Sequence, residues 1–108
     1  MIYNYNKLVR DKIPSIITNN GEIPVTRILN DEEYKTELER KLYEEYQEVI
    51  NSKDKDRLEE LADMIEVIKA LASLEGKNLQ DIILIAEQKR EKRGGFKDKI
   101  YLERVLKK

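Results

Sequence analysis

The sequence predicts an all-α fold, a helical bundle in one domain, and three observations carry that prediction. Apolar residues recur at helical spacing through long segments, side chains suited to capping stand at the heads of those segments, and glycines or a polar stretch stand at their ends. Connections are short, and no linker, repeat or low-complexity tract divides the 108 residues, so one domain is expected over 1–108.

The first helix is short, from about 12 to 19, with Asp11 as its cap, Pro14 in its opening turn and Asn19-Asn20-Gly21 as its stop. Residues 22–29, EIPVTRIL, are β-branched and contain Pro24, which suits an extended edge segment. The second helix begins near Asn30 or Asp31, either of which can cap exposed amides, and runs to about Asn51. The third runs from about Asp54 or Asp56 to Glu75, where Gly76 supplies a left-handed terminator. Asn78 caps the fourth, with Asp81 in a box-like position, and that helix continues to Arg93 before Gly94-Gly95. A further extended piece is expected near 100–105.

Composition narrows the chemistry. There is no Cys and no His, which rules out disulfides, thiolate or imidazole metal sites and a His-based triad, so any metal must be held by oxygen. Charged residues make up 40% of the chain, yet 21 Lys+Arg against 22 Asp+Glu leave a net charge of -1, and binding to a nucleic-acid polymer is not implied. A chain of this length can bury roughly two thirds of its unfolded surface. The opening MIYNYNKLVRDK lacks the apolar core of a signal peptide, and no apolar run approaches the ~18 residues of a membrane span, so a cytoplasmic protein with no membrane partner is expected.

Two acidic pairs carry the functional signal: Glu45 and Glu48 on the second helix, and Glu60 and Asp63 on the third. Each pair has i,i+3 spacing, which puts both carboxylates on one face. On a helical wheel Tyr34, Leu38, Leu42 and Val49 form an apolar stripe; Glu45 falls inside it, Glu48 lies on its edge and Glu44 is further round. A carboxylate buried without a partner costs several kcal/mol or is protonated, so Glu45 asks for a cation. The third helix is apolar on two sides, with Leu58, Leu61, Ile65, Ile68 and Ala72 on one and Met64, Val67, Leu71 and Leu74 on the other. Two faces need two partners. A short turn around 52–55 folds the second and third helices into an antiparallel hairpin, and the acidic pairs then meet. Four converging oxygen ligands suit Mg2+, with Mn2+ as a substitute, and Mg2+ commonly completes its octahedron with substrate phosphates.

Two basic clusters are placed to meet such phosphates. Lys7 and Arg10 flank apolar Leu8 and Val9, which can anchor the segment over the bundle. Lys89, Arg90 and Arg93 precede Gly94, Gly95 and Phe96: cations, flexible backbone, and a ring able to stack on a base. A basic last turn also complements the helix dipole, and Glu and Lys at helical spacing commonly form only a solvated face.

The combination E45-x-x-E48 and E60-x-x-D63 in KLYEEYQEV and LEELADMIEVI resembles the all-α NTP pyrophosphatase superfamily that includes MazG and phosphoribosyl-ATP pyrophosphohydrolase. The opening YNKLVRDKIP and the closing KREKRGGF are similar to those of its small, stand-alone, phosphoribosyl-ATP-pyrophosphohydrolase-like members, so the resemblance spans nearly the whole chain. It implies a MazG-like bundle completed by oligomerisation, a dimer at least. It also implies Mg2+-dependent cleavage of the α-β phosphoanhydride of a (d)NTP or phosphoribosyl-ATP-like nucleotide to a monophosphate and pyrophosphate, in histidine synthesis or nucleotide-pool house-cleaning. The metal ligands carried over are Glu45, Glu48, Glu60 and Asp63. Only eleven residues, 49–59, separate the pairs, at or below the short end of the MazG pattern, and this leaves open which of Glu44, Glu45 and Glu48 ligates. Two other classes fit the residues: a helical interaction protein whose carboxylates pair with Lys41, Lys53 or Arg57, and a nucleotide-binding regulator without turnover.

Overall fold

Four helices form among residues 1–107, which the computed structural model describes: α1 (Ile13–Asn19), α2 (Asp31–Asn51), α3 (Asp54–Leu74) and α4 (Leu79–Arg93). No strand forms among the described residues, and 22–29 and 100–105 run without regular structure. With no sheet present, 22–29 edges nothing.

Local chemistry explains the helix boundaries. The Asn30 side chain accepts from the Glu33 amide at 2.8 Å while the Asn30 amide donates to the Glu33 carboxylate at 3.4 Å, a reciprocal capping box. Arg27 locks that carboxylate with two hydrogen bonds, 3.2 and 2.8 Å, and together with the Asn30 amide they hold Glu33 below its ordinary pKa. Asn78 and Asp81 repeat the box at the head of α4, both bonds at 2.9 Å. At the end of α3 the Lys77 amide reaches the Ala72 carbonyl and the Gly76 amide reaches that of Ser73, both at 3.0 Å, a Schellman motif. Gly76 takes φ 71°, a left-handed value that a side chain would strain. Asp11 does not cap α1. The chain enters that helix through a turn closed by Ile13 N–H on the Arg10 carbonyl, and Lys12 occupies the cap position with helical backbone and no side-chain bond.

Ser52 and Lys53 alone connect α2 to α3, so the two helices pack antiparallel as a hairpin. α4 packs only on α3, and α1 packs closely on none of the other helices. Among the described residues the buried ones are Leu38 and Val49 of α2, Val67 and Ala72 of α3, and, with them, Glu45. With so few apolar side chains buried, each carries much of the hairpin. Leu38→Ala is expected to cost about 2–4 kcal/mol, read as a fall in urea midpoint at unchanged slope.

The chain is not a compact bundle. Its radius of gyration is 18.7 Å, against about 13 Å for a compact domain of this length. It exposes 10566 Å², where a compact monomer of 12.8 kDa exposes about 6,300 Å² and an unfolded chain about 18,600 Å². Burial is therefore roughly two fifths and not two thirds. The irregular segments leave Ile23, Val25, Ile28 and Phe96 almost fully exposed, and α3 adds to this: its Val67 side is closed by α2, Ile68 and Ala72 are half-buried and buried, while Leu58, Leu61 and Ile65 remain 68%, 39% and 49% exposed. No helix among the described residues is long and apolar enough to cross a membrane.

Candidate metal centre

Glu45 is buried because α2 puts it on the same stripe as Leu38 and Val49, the stripe that faces α3. Two-residue closure of the hairpin sets the register. A residue a given number of positions before the turn lies level with its counterpart after it, since both helices rise 1.5 Å per residue. Glu45 is thereby level with Glu60, and Glu48 with Arg57. Carboxylate oxygens of Glu45, Glu60 and Asp63 accordingly lie within 4.8 Å of one another, whereas Glu48 stays outside that cluster.

The cluster opens into a cleft of about 340 Å³ lined by Lys7, Lys41, Glu44, Glu45, Gln47, Glu48, Glu60 and Asp63. Glu48 is exposed at its mouth and Glu44 is half-buried. Three cations answer the acids. Arg10 Nη2 lies 2.7 Å from Asp63 Oδ1, and Lys41 Nζ lies 3.5 Å from Glu44 Oε2 and 3.9 Å from Glu45 Oε1. Lys7 joins the cleft wall, its ammonium 5.8 Å from the centre of the Tyr5 ring. Leu8 and Val9 are half-buried and anchor the segment between Lys7 and Arg10. Burial first, then the neighbouring Asp63 charge, raises the pKa of Glu45 above its ordinary value of 4.5; Lys41 pulls it down and Glu60 pushes it up.

Of the ligands expected from sequence, Glu45, Glu60 and Asp63 come together, and Glu48 and Glu44 line the same cleft. Lys7 lines the cleft, and Arg10 is beside it, bonded to Asp63. Lys89, Arg90, Arg93, Gly94, Gly95 and Phe96 do not line the cleft of their own chain. α4 leaves α3 at the far end of the hairpin, all six are exposed, and Phe96 is 99% so. Lys41 and Gln47 are cleft residues that motif spacing does not mark. The position of Lys41, four residues before Glu45, was the one available signal, since i and i+4 share a helix face.

An all-carboxylate donor set fits a hard divalent cation. Opposite ligands of an octahedral Mg2+ at 2.0–2.1 Å stand about 4.2 Å apart, close to the span of the cluster. Burial is the first cause of the raised Glu45 pKa, and the like charge of Asp63 and Glu60 adds a repulsion that a cation would relieve.

No family model matches the chain, and no solved structure matches it significantly. A sequence search finds an uncharacterized protein of Mycolicibacterium smegmatis, 49% identical over 43 residues. The match covers 40% of this chain and 44% of that protein.

Proposed function

We propose that this chain is a Mg2+-dependent nucleotide pyrophosphohydrolase that cleaves the α-β anhydride of a (d)NTP or phosphoribosyl-ATP-like nucleotide, and that it works as a homodimer or larger homo-oligomer. One observation carries the reading: carboxylates of Glu45, Glu60 and Asp63, from two helices, converge in a cleft whose wall carries Lys7 and Lys41, with Arg10 bonded to Asp63 beside it. Acids at the base and cations around them match a metal–phosphate ligand, negative outward and positive at its centre.

Glu45, Glu60 and Asp63 would hold the ion. When bound, it supplies neutralisation of phosphate charge and a water of lowered pKa. Glu48, at the mouth and outside the three-oxygen cluster, is free to accept the proton of that water. Lys7 and Arg10 approach from a segment held by Leu8 and Val9, and stabilise the charge developing on the leaving pyrophosphate. Lys89, Arg90 and Arg93 would serve the same end from a second copy.

The interaction-protein reading has its own support, because Asp63 already pairs with Arg10, and Glu44 and Glu45 with Lys41. A pyrophosphate-release screen over canonical, damaged and phosphoribosylated nucleotides with Mg2+ separates the two. Release from at least one nucleotide, abolished by chelation, is expected; no release from any would sink the enzyme. Thermal melts give an independent check, with Tm rising in millimolar Mg2+ or Mn2+ for a metal centre and unchanged for an ion-pair network.

A further inference from the structure

Arg10 and Asp63 stand 53 positions apart in sequence, yet their side chains meet at 2.7 Å on the cluster that would take the metal. The bond is single, from Nη2 to Oδ1, and both side chains are about half exposed, 57% and 43%. Arg27 shows what a locking guanidinium does elsewhere in the chain: it holds Glu33 by two bonds, one from each terminal nitrogen. Arg10 has only one such grip. Its backbone, in contrast, is fixed by the Ile13 N–H on its carbonyl and by its neighbours Leu8 and Val9. The side chain can swing while its root stays beside the cleft.

From this geometry we infer that Arg10 is the built-in counter-ion of the carboxylate cluster, displaced from Asp63 by a divalent cation and thereby released to grip phosphate. The inference rests on the proposed metal centre. A guanidinium and a divalent ion repel each other when both crowd onto one carboxylate, so each weakens the other's hold. In the metal-free chain Arg10 offsets the mutual repulsion of Glu45, Glu60 and Asp63 at the cost of metal affinity. Once freed, the same cation stands beside the bound ion, where an incoming pyrophosphate moiety needs a donor. Loading is thus ordered, with metal first and anion second.

Calorimetric titration of the full chain with Mn2+ alone tests the displacement, and inorganic pyrophosphate titrated at saturating Mn2+ tests the release. Arg10→Ala is expected to bind Mn2+ about fivefold more tightly than the wild type, the scale of one exposed ion pair removed from the competition. Arg10→Lys, which keeps the charge, is expected within about twofold of the wild type. Pyrophosphate affinity at saturating Mn2+ is expected to fall roughly tenfold in Arg10→Ala. Unchanged or weaker Mn2+ binding by Arg10→Ala overturns the inference, and so does unchanged pyrophosphate affinity. Wild type without saturable Mn2+ binding removes the metal centre itself, a failure seen before any variant is made. Arg10→Gln, closer in length, replaces Arg10→Ala if the latter does not fold.

Discussion

Replacing Glu45 with Gln is expected to stabilise the metal-free protein while abolishing the proposed metal response and turnover. Glu45 is 8% exposed among Leu38 and Val49, faces Asp63 and Glu60, and has Lys41 no closer than 3.9 Å. Its ionised form is therefore disfavoured by folding, and its folded pKa lies above 4.5 for reasons of burial and like charge. Between 4.5 and the raised value the folded state binds more protons than the unfolded one, so stability is full below 4.5 and is lost as pH rises through the folded pKa. Gln is nearly isosteric and uncharged, and removes that loss. A gain of about 1 kcal/mol at neutral pH, or roughly 4–8 °C in Tm, is the expected scale. The same substitution deletes one of three converging ligands, and pyrophosphate release is expected to fall by at least ~100-fold, as for loss of a group that acts on the reacting centre. Melts of wild type and Glu45→Gln across mildly acidic to neutral pH, with and without Mg2+, check each part. A variant less stable than wild type at neutral pH without metal would show that Glu45 is satisfied by Lys41, and that the cluster asks for no cation. Stability rising on loss of a functional group is how a site built against its own folding behaves.

How far each feature could be read from sequence depended on how local its cause is. The caps Asn30 with Glu33 and Asn78 with Asp81, and the Gly76 terminator, involve residues a few positions apart, so their chemistry was legible where it stood. Asp11 misled because a capping side chain also needs extended backbone behind it, and the turn over Arg10 to Ile13 leaves none. The meeting of Glu45 with Glu60 and Asp63 was legible because a short turn between two long helices allows essentially one arrangement. The separate place of Glu48 is the finer consequence of the same turn, whose two-residue length sets Glu48 level with Arg57. Arg10 on Asp63 was not legible, since no local rule links residues so far apart. Nor was the direction of α4: the pattern of Leu79, Ile82 and Ile83 marks a helix, but not whether it folds back over the hairpin or departs from it. That direction, with the largely exposed segments 22–29 and 94–107, separates a compact bundle from the open chain observed.

Leu61→Glu and Ile65→Glu are each expected to convert the proposed homo-oligomer into a poorly folded monomer. The chain exposes about 4,300 Å² more than a compact monomer of its mass would. An obligate dimer interface hides 2,000–5,000 Å² in all, so two such chains carry ample excess for one and enough for a second. The bare part of α3 is a suitable centre, because Leu58, Leu61 and Ile65 lie three and four residues apart on one face and are 68%, 39% and 49% exposed. In the proposed homo-oligomer that face is covered, and with so few side chains buried within one chain, stability should be inseparable from protomer concentration. Wild type is expected to sediment as a dimer or larger at micromolar concentration, with a Tm that rises on concentrating the protein. A Glu at 61 or 65 puts a charge at the centre of the covered face, where a lost anchor costs 2 kcal/mol or more, so assembly is expected to weaken by at least ~30-fold. Tyr43→Glu makes the useful contrast. Its ring is 60% exposed and stacks on Tyr46 at 6.1 Å on α2, so an unchanged sedimentation profile there would place the interface on α3, whereas an equal loss would spread it over both helices. A wild type that is monomeric and melts cooperatively at every concentration would refute the assembly and leave Lys89, Arg90 and Arg93 with no route to a cleft. The assembly and the second basic cluster therefore stand or fall together, while the three carboxylates, which one chain brings together unaided, do not depend on either.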